Sequence, residues 1–286
     1  MAKKQRSFEP RTTFRFKAYL DLKRTLGRMN VAAEIAELAM RSFESHARVA
    51  SSANIFIKEM SLAHGVRVDT LDLPSAILHM HHFHTVSVHQ QFEVFLKAFK
   101  KEHPLTTWVN TKDTPLLKNV LSSFAPRLYN EMVEEIGRLE LDVADYYSKV
   151  RNAVAHGDDK NSAQSTLTLR EQVQDAASVY RRLSAPNSFS QTNFDDFILF
   201  TRVVKHIALA LCTVARPTDP QIAQMILQVD QTGSPGVDLG VLARKKRSFE
   251  ARSNALGTLL RIKYGLSRPE AQPIVDLLLN GPQALR

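Results

Sequence analysis

Cysteine is almost missing from this chain. One thiol, Cys212, stands in the apolar stretch IALALCTVA, so neither an internal disulfide nor a cysteine metal cage is available. Nothing suggests secretion, and Cys212 reads as a small core residue. Long apolar runs are absent too. The longest, Ile207 to Ala215, falls well below the roughly 20 residues of a membrane span, and Lys205 and Arg216 bracket it. The opening MAKKQRSFEPR lacks the apolar core of a signal peptide. These shortages point to a cytoplasmic protein that engages no membrane. Strand-like alternation is scarce. There is no glycine-rich phosphate loop, no Gly-x-Ser-x-Gly elbow and no zinc-binding His-Glu-x-x-His.

What is present is a globular composition, with 44% hydrophobic residues over 286 positions, enough for one large domain or a domain with extensions. Charge is unevenly placed. Residues 1–28 hold nine Lys/Arg against Glu9 and Asp21, and residues 244–268 hold eight against Glu250. With a formal net charge of +9, the remainder is mildly acidic. Basic ends on an acidic body suit a polyanion such as RNA or DNA. Solvated helix faces are the alternative.

Helical periodicity dominates and makes this an all-α protein. The spacing predicts long helices over 31–60, 73–101 (with Pro74 in the first turn) and 127–156, a moderate one near 169–183, and a strongly apolar one over 195–215. Their order suggests a four-helix bundle over 71–216, with a basic helical N-terminal extension (1–70) and a basic helical C-terminal region (217–286). The hinge is expected at RPTDP or QTGSPG. The C-terminal region holds either a helix–turn–helix or helices that pack on the bundle. The tetrapeptide RSFE recurs at Arg6, Arg41 and Arg247, but unequal intervals and differing contexts exclude a solenoid repeat.

The 127–156 helix ends on RNAVAHG, Arg151 to Gly157. Asn152 and His156 lie four apart and share a face, which continues back through Lys149 and Asp145. Val143, Tyr146, Val150 and Ala153 form a neighbouring apolar face. Arg151 lies about 100 degrees round from Asn152. It reaches the same small target as His156 only if the last turn unwinds or a second copy of the helix faces the first, so the geometry points to a homodimer. Gly157 is a natural left-handed cap, and His156 sits at the negative end of the helix dipole. An arginine to neutralise a phosphate and a histidine to move a proton suit phosphodiester chemistry. Spacing alone is a weak signal, since Arg41 and His46 share it. The added Asn and Gly make the stretch unusual.

YYSKVRNAVAHG resembles the signature of the HEPN superfamily: an arginine, a polar residue, three to five residues and a histidine. LHMHHFHTVSVHQQFEVFLKAF and FDDFILFTRVVKHIALAL resemble the early and closing helices of such domains. The resemblance spans about 71–216. It implies a four-helix bundle that dimerises so that two motif helices form one cleft. It implies a metal-independent endoribonuclease with catalytic Arg151, Asn152 and His156, no cofactor, and a role in stress response or phage defence. A partner antitoxin or sensor protein belongs to that picture. Asp158 stands where some toxins of the family carry a tyrosine that the antitoxin modifies, and some members bind without cutting.

Other residues carry weaker expectations. Lys149, Tyr147 and the run Arg244, Lys245, Lys246 and Arg247 are candidate RNA contacts, Tyr147 by stacking on a base. Core packing is the alternative for Tyr146 and Tyr147. His79, His81, His82, His84 and His89 lie close together, with Glu93 following. His82, His89 and Glu93 share a helical face, which leaves three readings: metal ligands, an RNA-lining face, or histidines satisfied within the fold. The functional expectation is RNA cleavage by 2′-OH attack. The alternative is a non-catalytic helical nucleic-acid-binding or dimerisation scaffold.

Overall fold

The computed structural model describes residues 12–68, 72–105, 107–112, 114–156, 163–175, 180, 182–231 and 248–280, without side chains for 156, 163–166 and 228–231. Among the described residues the protein is all-α, with no strand. The helices are α1 (Lys17–Val49), α2 (Ala53–His64), α3 (Leu73–Glu102), α4 (Leu116–Ser122), α5 (Pro126–Ile136) and α6 (Arg138–His156). They continue as α7 (Ala163–Asp175), α8 (Phe194–Val214), α9 (Asp219–Gln231), α10 (Phe249–Tyr264) and α11 (Arg268–Asn280).

Helices α3 and α8 fall where the apolar spacing puts them. Two expected helices are broken. The 31–60 segment is not continuous: α1 ends at Val49 and α2 begins at Ala53. Arg127 to His156 is also two helices, because Gly137 sits at φ 91° between α5 and α6. Only glycine holds that backbone without strain, and a Cβ there would collide with the Glu140 carboxylate.

The chain divides into two compact units that do not follow the expected boundaries at 71 and 217. One comprises residues up to 21, 95–136 and 208 onward. The other comprises 22–94 and 137–207. Helices α1, α3 and α8 each supply residues to both, so the described part of the expected N-terminal extension, residues 12–68, is divided between them.

In the first unit, residues 12–16 lie outside any helix. Phe14 and Phe16 are fully buried, Phe14 stacked on Tyr264 and Phe16 edge-on to Phe99. The Phe99 ring leads into a cluster with His103, Trp108 and Phe124. Leu256 and Leu260 of α10 and Ile274, Val275 and Leu278 of α11 are buried there as well.

In the second unit the core lies among α3, α6 and α8. Phe197, Leu199, Phe200, Val203, Val204 and Ile207 of α8 are wholly buried. Each such side chain contributes about 1.5–3 kcal/mol of transfer free energy. Phe194–Val214 is the one described helix long and apolar enough to cross a membrane, but 67% of its most apolar window is buried inside the protein. Its hydropathy reflects a place in the core.

Candidate functional site

Helix α6 presents two faces, and the sequence spacing separates them correctly. Val143, Ala144, Tyr146, Tyr147, Val150 and Ala153 are buried. On the other side Lys149 pairs with Asp145 at 2.9 Å, one turn apart, and Asn152 is exposed. Lys149 itself is open to solvent beyond that pair, with 59% of its side chain exposed.

Tyr147 is a core residue. Its ring stacks on Phe200 at 4.7 Å, and its hydroxyl donates to Asp196 Oδ1 at 2.8 Å. With no exposed surface, it offers no face to a base, which corrects the expectation of stacking. Tyr146 is likewise buried, and its hydroxyl donates to the Asn187 carbonyl. Asp196 also accepts from Asn187 N, Asn187 Nδ2 and Asn193 N. Burial lifts its carboxyl above the ordinary range, against the opposing pull of these donors. The Asp196 hub holds the inner face of α6 against the start of α8, which fixes how the outer face is presented.

The half-buried Arg151 donates from Nη1 to Asn152 Oδ1 at 3.0 Å. The guanidinium thus folds across the helix to its neighbour's amide. It also lies close enough to His89 of α3 for its charge to disfavour the imidazolium form. Burial is the larger cause holding the His89 pKa below its usual value, and Glu93 pulls the other way. The His89 side chain is 11% exposed, and its Nδ1 is sealed with no hydrogen-bond partner among the described residues. Glu93 Oε1 stands 3.9 Å from that nitrogen, outside hydrogen-bond range.

The other α3 histidines turn to separate tasks. His79 Nδ1 bonds the Ser75 carbonyl at 2.7 Å. His81 Nε2 meets Glu37 at 2.9 Å, where Arg41 also pairs with the carboxylate. His82 bonds the Phe189 carbonyl and stacks on the Phe189 ring at 4.3 Å. His84 faces Phe197 at 5.6 Å between ring centres. Among the described residues, no three His, Cys, Asp or Glu side chains are grouped to hold a metal ion.

His156 closes α6, and its side chain lies outside the described residues, as do Gly157, Asp158 and Arg244 to Arg247. The structure therefore pairs Arg151 with Asn152, places His89 within electrostatic range of Arg151, and separates Tyr147 from them into the core. His89 stood out in the sequence only as one of several histidines. Its place beside Arg151 comes from tertiary packing, through the layer in which the His89 and Tyr147 rings both meet Phe200.

Comparison of the chain with protein-family models, with curated proteins and with solved structures returned no match.

Proposed function

We propose that the chain is a metal-independent endoribonuclease of the HEPN type, working on cytoplasmic RNA in stress response or phage defence. The observation that carries the reading is the Arg151–Asn152 pair, held on the outer face of α6 within the RNAVAHG stretch. Arg151 neutralises the scissile phosphate and the charge that builds on it. The 2′-oxygen attacks phosphorus as its proton passes to an imidazole. The P–O5′ bond breaks as a second proton reaches the leaving oxygen, and a 2′,3′-cyclic phosphate remains. His156 is the imidazole assigned to these transfers, and the homodimer supplies a second copy of it. In a homodimer two such sets face one another, and a partner protein holds them in check.

A second reading, a non-catalytic assembly or nucleic-acid-binding scaffold, is favoured by α1. Val31, Ile35 and Leu38 are 56%, 63% and 69% exposed at helical spacing. They form a stripe on the side of α1 opposite buried Ala33 and Glu37.

The test is cleavage of a 5′-labelled RNA pool in EDTA by wild type and His156→Ala, with product ends mapped and melting curves compared. Cutting by wild type alone, leaving cyclic-phosphate ends and equal melting, is the expected result. Equal cutting by both proteins, or none by either, removes the nuclease reading.

A further inference from the structure

Helices α10 and α11 flank an open groove of about 530 Å³ that no step of the proposed chemistry uses. Ala271 and Val275 of its lining are buried in the core. Its sides carry Phe249, Asn254 and Arg261 from α10, and Arg268 and Gln272 from α11. These residues have little to do within the fold. Phe249 is 56% exposed, an unusual place for a phenyl ring. Neither Arg261 nor Arg268 forms an ion pair with a described residue, whereas Arg41, Arg48, Arg127 and Arg216 each meet a carboxylate. Asn254 makes no side-chain hydrogen bond to a described residue, and Gln272 donates to Asp276 at 2.9 Å with its Oε1 left over.

Gly257 lies among these residues on α10. Glycine inside a helix costs about 1 kcal/mol relative to alanine. Here no tight packing demands it, because a Cβ would meet nothing within 4 Å. Its effect is to leave the groove open between Arg261 and Asn254. Glu250 is the single acidic residue in the lining. Upstream of Phe249 the sequence runs RKKR over 244–247, so a polyanion in the groove has cationic chain next to it in sequence.

An aromatic face, two uncommitted guanidiniums and two amides in one open trough match a single nucleic-acid strand. The ring takes a base by stacking, which tolerates any sequence. The guanidiniums take phosphates, and amides bond base edges. A folded protein partner would instead call for an apolar anchor pocket.

We propose that the α10–α11 groove binds single-stranded RNA, with a base on Phe249, flanking phosphates on Arg261 and Arg268, and base-edge bonds from Asn254 and Gln272. The ligand class rests on the RNA reading above, but the site is separate from the α6 motif and does no chemistry.

The experiment is fluorescence anisotropy with a 2′-O-methyl 12-nucleotide oligouridine, which cannot be cut, on the full chain. Arg261→Ala with Arg268→Ala weakens binding at least about tenfold and lowers the salt slope by close to two charges. Gly257→Leu fills the trough with a good helix former and weakens binding by a similar factor, while circular dichroism stays that of wild type. Equal affinity in both variants overturns the groove, as does wild type that binds no oligomer. Cleavage is scored separately on unmodified RNA. A wild type that cuts, with groove variants that bind normally, sinks the groove alone. Binding lost in the variants of a protein that never cuts sinks the nuclease alone.

Discussion

Tyr146 and Tyr147 are adjacent aromatics one turn before Arg151, and at the residue scale their hydroxyls decide their role. A buried phenol needs an acceptor, and each finds one across the unit, in Asn187 and Asp196. Replacing Tyr147 with Phe keeps the stack on Phe200 and removes one of the donors to a buried carboxylate. The expected loss is about 1–3 kcal/mol of unfolding free energy, read by urea denaturation. RNA binding by the variant should match wild type. Weaker binding at unchanged stability would contradict the core assignment.

At the scale of elements, the turn joining α10 to α11 carries the clearest local logic. The sequence SRPE over 267–270 has the spacing of a capping box, Ser and Glu three apart at a helix start, and the Glu270 carboxylate supplies its half by accepting from the Ser267 amide. Gly265 closes α10 at φ 66°, and its amide donates to the Arg261 carbonyl at 3.0 Å. Glu270 accepts from Ser267 N at 3.2 Å, from Thr13 N at 2.9 Å and from the Thr12 hydroxyl at 2.6 Å. The chain's early segment is thereby tied to its last described helix. Burial works to raise the Glu270 carboxyl, but the bonds from Ser267, Thr12 and Thr13 hold it down at about 2. A carboxylate depressed on folding stabilises above its unfolded pKa and loses that contribution as pH falls to the folded value. Glu270→Gln is therefore expected to cost about 1–2 kcal/mol at pH 7, after allowance for solvent screening. The difference from wild type should shrink as pH drops from 4.5 toward 2. A gap that stays constant over that range, in melts at stepped pH, would refute the charged cap.

For the molecule as a whole, acid is the expected weakness. His84, His89 and His103 all have pKa values lowered chiefly by burial. His103 falls furthest, to about 4, although its bond to the Ala215 carbonyl pulls upward. Its Nε2 donates to that carbonyl at 3.1 Å, and its Nδ1 accepts from Leu105 N at 3.1 Å. The packed ring is therefore neutral. Stability from such a group is complete above the unfolded pKa near 6.5 and is lost as pH falls toward 4. Melting temperature should decline across that window. His103→Phe, which keeps a ring among Phe99, Trp108 and Phe124, should remove up to about 2 kcal/mol of the pH-dependent loss. An identical pH slope in the variant would show that His103 does not titrate on unfolding.

Much of this was legible in residues a helical turn apart. The all-α class, the extents of α3 and α8, and the buried and exposed faces of α6 follow from the 3.6-residue period, because side chains at that spacing share an environment. Lys149 on the surface and Val150 in the core belong to the same pattern. Local spacing carries no information about which distant element supplies a partner. Tyr147 reaches Asp196 across 49 positions and Thr13 reaches Glu270 across 257. His89 comes within electrostatic range of Arg151 because the His89 and Tyr147 rings share the Phe200 layer. Those pairings arise only when apolar faces close on each other, so the RNAVAHG face was visible in the chain while its buried imidazole neighbour was a product of the fold.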